Sequence, residues 1–288
     1  FIMEKENLTF MEAVTFIAKN NGIPVEYSDE ERSEEELLEA KHKESLFVTL
    51  DLLHRFFVEN LRMEMTDESR AAREYAYGRW SEEFCSIAGI GYAPKDGNTF
   101  MEYCRVKGLN EESLFELGMF KRSEDGSIYA MFRQRIMIPI RNRWGRIIAY
   151  TARYINSSTS IVYSKGKTLF GIDRASRQRD ADYFIVVEGA PDVLRMQSVG
   201  YENTVATLGT AWTDSQFEQL KRFTSSLCFI PDSDTVDGKQ YGPGFEAVMA
   251  NGASAIKKGF HVTVRELPFA VQNRKNDADS YIHCKEDY

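Results

Sequence analysis

The chain has 288 residues, 43% of them hydrophobic, with 36 basic and 44 acidic residues giving a formal net charge of -8. That length and apolar content suffice for two modest globular cores, while the acidic balance argues against a protein that coats nucleic acid indiscriminately, because phosphate binding draws on Lys and Arg. No apolar run reaches the roughly 18 residues of a membrane span, and Phe1-Ile2-Met3-Glu4-Lys5 has neither a basic leader nor a small-residue cleavage site, so a cytoplasmic protein is expected.

Residues 9–19 read as an amphipathic helix, with Phe10, Ala13, Val14, Phe16 and Ile17 on its apolar face and Thr9 as its cap. It breaks at Asn20-Asn21-Gly22-Ile23-Pro24. Residues 28–43 are dense in Glu and poor in large apolar side chains, the composition of a linker or an exposed helix. Between 46 and 117 the pattern is mainly helical: Leu46, Leu50, Leu53, Phe57 and Leu61 recur at helical spacing, and 71–80 fits another helix.

Strand signals follow at 136–140 and 145–150, separated by a short turn, and predict a hairpin. It lies in a segment that carries Arg133, Arg135, Arg141, Arg143, Arg146, Arg153, Lys165, Lys167, Arg174, Arg177 and Arg179 against Asp173 alone as an acid. A solvated surface and a polyanion site are both compatible with such a run.

From Tyr183 onward short apolar runs alternate with helical patterns. Runs at 183–187, 204–208, 226–230 and 261–267 are separated by helices starting near Asp192, Thr213 and Gly244, a rhythm that predicts a parallel-rich sheet covered by helices. Ligands in such sheets sit beyond the carboxyl ends of the strands. The residues there are Glu188-Gly189-Ala190-Pro191-Asp192, Pro231-Asp232-Ser233-Asp234 and, after a loop, Asp277-Ala278-Asp279. Carboxylates gathered on one edge repel one another and raise one another's pKa. Mg²⁺ or Mn²⁺ would resolve the conflict, and carboxylate-held metals shared with phosphates are the usual arrangement for phosphoryl transfer. For Asp232 and Asp234 alone, turn formation is an equally good reading. Glu188 shifts the balance towards a site, and Gly189 leaves the backbone free to turn tightly beside a ligand.

At these residues the chain resembles the TOPRIM fold, with its Glu-Gly after the first strand and its Asp-x-Asp after a later one. Further stretches resemble the bacterial DnaG-type primases in the same order: Val186-Val187-Glu188-Gly189, Ala206-Thr207-Leu208-Gly209-Thr210, Asp232-Ser233-Asp234 and Asp277-Ala278-Asp279. Upstream, 132–140 resembles the stretch preceding the family's basic hairpin and 145–153 the next, followed by Lys165-Gly166-Lys167 and Leu169-Phe170-Gly171. Ala72-Arg73-Glu74-Tyr75 and 89–94 resemble its helical part. Three departures stand out. Arg79-Trp80 replaces the usual Arg-Gly, the stretch between Arg153 and Lys165 is short, and residues 235–241 are inserted after Asp234.

The resemblance implies an α/β TOPRIM-type parallel-rich sheet flanked by helices over 176–288, preceded by a mixed helical and hairpin α+β lobe over 46–175. Residues 1–45 would be the remnant of an N-terminal zinc-binding domain and its linker. The zinc ribbon and the helicase-binding region have no counterpart, and Phe1 suggests a trimmed piece of a longer protein. The implied activity is synthesis of RNA primers on single-stranded DNA from ribonucleoside triphosphates. Glu188, Asp232 and Asp234 would be catalytic, and Glu188, Asp192, Asp232, Asp234, Asp277 and Asp279 would hold two or more Mg²⁺ or Mn²⁺ ions. Arg73, Arg79, Arg133, Arg141, Arg146, Arg153, Lys165 and Lys167 would contact nucleic acid or nucleotide. Zinc would belong only to the missing domain, and a replicative helicase would be the protein partner. A TOPRIM nuclease and a non-catalytic single-strand-binding module of a phage or mobile element are the alternatives.

Other features read as structure. Cys85, Cys104, Cys228 and Cys284 form no CxxC knuckle, so neither a zinc site nor a disulfide is expected. His54 and His261 lack a second ligand at metal spacing. Trp80 and Trp212 are read as packing residues, and Met63, Met65, Met137 and Met196 as gap fillers. Gly242-Pro243-Gly244 lacks the Lys-Ser/Thr of a phosphate loop and is a helix start.

Overall fold

In a computed structural model, the structure describes residues 10–24, 34–63, 66–152, 166, 168–178, 181–207, 212–233, 242–268 and 276–288. Helix Phe10–Asn20 (α1) precedes a helix of 29 residues, Glu34–Arg62 (α2). From Glu34 onward the Glu-rich stretch is the first part of an exposed helix that continues without a break into the apolar stripe, where Leu46, Leu50, Leu53 and Phe57 are completely buried. Asp67–Trp80 (α3) follows with reciprocal capping: Thr66 Oγ1 accepts the Ser69 N–H and Ser69 Oγ accepts the Thr66 N–H, both at 3.1 Å. A short helix, Glu82–Ala88 (α4), leads to strand Gly91–Ala93 (β1). Here a glycine is required: a Cβ at Gly91 would lie 2.6 Å from Phe57 Cβ, so only a bare backbone packs this closely on α2.

Helices Gly97–Val106 (α5) and Glu111–Glu116 (α6) are followed by two antiparallel pairings. Phe120–Arg122 (β2) pairs with Ile128–Ala130 (β3), a small hairpin with no clear sequence signal. Arg135–Arg141 (β4) pairs with Ile147–Ala152 (β5), the predicted hairpin, with Pro139 opposite Tyr150 and a register shift at Ile140/Arg141. β1 adds to the free edge of β4, giving a sheet of order β1-β4-β5. Phe57, Phe100, Met137 and Tyr150 lie in the core between this sheet and the helices.

The second sheet is built from Leu169–Phe170 (β6), Phe184–Val187 (β7), Thr204–Thr207 (β8), Ser226–Phe229 (β9) and His261–Val264 (β10) in the order β10-β9-β7-β8-β6. All pairings are parallel except that of β6, an antiparallel edge. Helices Ile172–Ala175 (α7), Ala190–Ser198 (α8), Asp214–Lys221 (α9), Pro243–Lys257 (α10) and Ala278–Tyr281 (α11) complete the order. Strand alternation divides the packing. Phe184 and Val186 join Phe217, Leu220 and Val248 on one face, whereas Ile185 and Val187 join Val193, Leu194 and Ile282 on the other. That second cluster also contains Trp80, Phe84, Ile138 and Ile148, so it runs without a break from the N-terminal lobe into the larger sheet.

The structural readings of single residues largely hold. Trp80, Met137 and Met196 are buried, and Trp212 stacks on Phe217 with centroids 5.0 Å apart. Met63 departs from its expected role, being 53% exposed at the end of α2 where no neighbouring element covers it. Met65 lies outside the described residues. All four cysteines are free, with Cys284 exposed and the others buried. Gly242 caps α10 and Pro243 is its first residue, as a helix start requires.

Candidate active site

Glu188 directly follows β7, and Asp232 follows the neighbouring strand β9, so parallel pairing of β7 with β9 brings the two acids to the same sheet edge. The Asp232 N–H donates to Glu188 Oε1 at 3.3 Å. Glu188 is exposed, whereas Asp232 is 7% exposed. The start of α10 lies against both. A Cβ on Gly244 would fall 2.7 Å from Glu188 Oε1, 3.2 Å from the Asp232 carbonyl oxygen and 3.4 Å from Asp232 Cβ. Glycine thus lets the positive end of this 15-residue helix approach the carboxylates, where its field offsets their charge. Sequence alone marks Gly244 only as part of a helix start.

The remaining acids are held by protein groups. Asp192 accepts the Gly189 N–H at Oδ2 (3.0 Å) and the Asp279 N–H at Oδ1 (3.1 Å), thereby capping α8 and tying it to α11. Asp277 caps α11 by accepting the Ser280 N–H at 2.8 Å. Asp279, 2% exposed, is ion-paired with Arg79 of α3, and its Oδ1 lies 3.4 Å from Arg195 Nε of α8. Burial, with the like charge of Arg79 second, draws the Arg195 guanidinium below its ordinary value. Arg195 had no signal in the sequence, since its partner is far along the chain. Ser233 binds the Asn276 carbonyl through its N–H at 2.8 Å, which draws the Asp232 loop to the Asp277-Asp279 turn. Asp234 lies outside the described residues, and among those described no three His, Cys, Asp or Glu side chains converge on one metal position.

The basic residues occupy several places. Arg73 donates to the Arg62 carbonyl at 3.3 Å and lies over the Tyr77 ring. Arg79 lies between the acids and the rings of Tyr75 and Trp80, each centroid 5.6 Å from its Cζ. Arg133 is exposed before β4. Arg141 donates to the Gly145 carbonyl at 3.0 Å and approaches His54 Nε2 at 3.3 Å. Arg146 forms a two-pronged pair with Glu44 at 2.8 and 3.0 Å and covers Phe47. Arg153, Lys165 and Lys167 lie outside the described residues.

Donor chemistry at the sheet edge suits a hard divalent cation: carboxylate oxygens, and a glycine that leaves Glu188 its space. Among the described residues no helix is long and apolar enough to cross a membrane.

Comparison with known proteins agrees with this architecture. Residues 56–176 match the family described as DNA primase catalytic core, N-terminal domain, and residues 185–282 match the Toprim-like family. The DNA primase of Staphylococcus aureus (strain COL) is 28% identical over 293 aligned positions, covering 98% of this chain and 46% of that protein. The chain therefore spans about half the length of the curated relatives it matches. Among solved structures, a DnaG primase catalytic domain bound to single-stranded DNA superposes with a TM-score of 0.70 at 26% identity, covering 84% of this chain and 77% of that one. The zinc-binding and RNA polymerase domains of Aquifex aeolicus primase give 0.72 at 28% identity, covering 98% and 66%. A Toprim-like domain in a primase setting implies use of a divalent metal. With both catalytic-core domains present in family order, the chain belongs to the bacterial DnaG-type primases.

Proposed function

We propose that this chain is the catalytic core of a primase, joining ribonucleotides on a single-stranded DNA template. The observation that carries the reading is the meeting of Glu188 and Asp232 at the carboxyl ends of adjacent parallel strands, against the start of α10 and beside a lobe rich in arginine. In the reaction a primer 3′-oxygen attacks the α-phosphorus of a ribonucleoside triphosphate, and the bond to the pyrophosphate oxygen breaks. Glu188, Asp232 and Asp234 would hold Mg²⁺ or Mn²⁺, which when bound supplies charge neutralisation at the triphosphate. Glu188 is exposed and keeps one carboxylate oxygen beyond the Asp232 contact, and it would accept the hydroxyl proton.

Asp192 and Asp277 serve this edge by fixing the starts of α8 and α11. Asp279 ties α8 and α11 to α3 through its two arginines. Arg73, Arg133, Arg141 and Arg146, with Arg153, Lys165 and Lys167, supply cations for template and triphosphate phosphates, for which guanidinium is well suited. The template would be gripped largely without regard to sequence. The division at about 45 and 175, the cytoplasmic location and recruitment by a replicative helicase through a region beyond this chain complete the proposal.

The test is incorporation of labelled ribonucleotides on single-stranded DNA with Mg²⁺ or Mn²⁺, for the chain and for Asp232→Ala. Metal-dependent products that vanish in the variant support the proposal. DNA cleavage without synthesis would replace it with a nuclease, and metal-independent DNA binding with neither activity would leave a binding module.

A further inference from the structure

A cleft of about 310 Å³ opens between the two lobes on the side of α8 away from the acids. Leu194 and Gln197 line it, whereas Asp192 and Arg195 of the same helix engage Asp279. At about 100° per residue those pairs lie on opposite sides of the helix. Its lining includes the apolar Ile87, Ile138, Pro139, Phe170 and Leu194. It also includes Arg141, Arg174 and Arg177, with Asp173 among them.

The cations are crowded. Arg141 Nη1 donates to the Gly145 carbonyl at 3.0 Å, and Arg177 Nη2 reaches to 3.4 Å from the position a Cβ at residue 145 would occupy. Two guanidiniums therefore meet at the turn of the basic hairpin. Arg174 pairs with Glu202 outside the cleft, and its Nε is buried without an acceptor. Asp173 lies in the field of all three arginines, so with Glu202 the local charge sums to about one positive unit. The neighbouring His54 is neutral at physiological pH, held down at about 4 by burial and by the charge of Arg141. An excess of cation in a cavity of this size, polar for the most part with a smaller apolar share, is matched by a ligand with an anionic end and a compact, partly apolar body.

We propose that the cleft between the β4–β5 hairpin and α7 binds a small organic phosphate, its phosphate on Arg141, Arg174 and Arg177 and its apolar part against Ile138, Pro139, Phe170 and Leu194. Because residues of both lobes line the cleft, an occupant would bridge them, and would do so independently of metal at the acidic edge.

Adenosine 5′-monophosphate and inorganic phosphate serve as probes, titrated calorimetrically into the chain in EDTA. Saturable binding of the nucleotide, tighter than that of phosphate, is expected. Arg177→Ala, at an exposed side chain, should weaken it by on the order of tenfold, the usual worth of one charge-assisted contact, without lowering the melting temperature. Asp232→Asn should leave it unchanged. Absence of saturable binding overturns the inference, as does binding that survives Arg177→Ala, is lost in Asp232→Asn, or is no tighter for the nucleotide than for phosphate.

Discussion

Replacing Gly244 by alanine adds one methyl group at the point where α10 meets the two acids. Its carbon would begin 2.7 Å from Glu188 Oε1 and 3.2 Å from the Asp232 carbonyl oxygen. Relief of the first contact requires the Glu188 carboxylate to swing by about half an ångström, which is inexpensive for the end of a flexible side chain; the second contact is with backbone and must be met by a small shift of α10. Overpacking of this kind costs about 1–3 kcal/mol. Alanine returns up to about 1 kcal/mol through helix propensity and a less flexible unfolded chain. The net loss is then about 0–3 kcal/mol, a fall of several degrees at most in melting temperature. Activity should suffer more. Moving Glu188 breaks its contact with the Asp232 N–H, and a displacement approaching an ångström at a reacting group can cost on the order of a hundredfold. Primer synthesis should fall between about tenfold and a hundredfold, with a rightward shift in the Mg²⁺ titration, in protein that thermal melting shows to be folded. Unchanged synthesis and an unchanged metal midpoint would refute the argument, as would a loss of activity matched by an equal loss of folded protein.

Three further outcomes are expected. His54 is partly buried and its pKa is lowered from 6.5 to about 4, so the unfolded chain binds the extra proton first. Its contribution is intact above about pH 6.5 and is lost as pH falls towards 4, reaching about 3 kcal/mol. Urea unfolding at pH 4.5 and 7.5 should therefore show a smaller acid penalty for His54→Gln by about 2–3 kcal/mol; equal penalties would exclude His54 as the source. Arg79→Ala leaves the buried Asp279 with Arg195 alone and should destabilise by about 3 kcal/mol, a cost that shrinks when Asp279→Asn is added. Strict additivity in that double-mutant cycle would show that the pair is not coupled. Arg133→Ala should lower the salt slope of single-stranded DNA binding by about 0.7 without altering the urea midpoint, whereas an unchanged slope would remove Arg133 from the phosphate-binding set.

The sequence patterns that translated well are those with a local cause. Continuous apolar runs around Ile138 and Ile148 became the hairpin, and those ending at Val187 and Phe229 became neighbouring parallel strands that bring Glu188 and Asp232 together. Short or distant relations were not legible. β6 has two residues and gains its pairing from β8 alone. β1 depends on α2 for its glycine and on β4 for its hydrogen bonds. The partnership of Asp279 with Arg79 and Arg195 joins three helices, each unremarkable by itself, so Asp279 reads from sequence only as one more acid after a strand. Gly244 likewise looks like an ordinary helix opening until β7 and β9 bring their acids beneath it.

The core that runs from Trp80 and Ile138 to Leu194 and Ile282 has a mechanical consequence. Parting the lobes would wet those side chains at roughly 25 cal/mol for each Å² uncovered and would also unpair the buried Asp279. Hinge opening is therefore an expensive coordinate for this molecule, and the distance from the hairpin arginines to Glu188 is set by packing. On the proposed function, with opening this costly, advance along a template would come from the nucleic acid sliding across a stationary surface past Glu188.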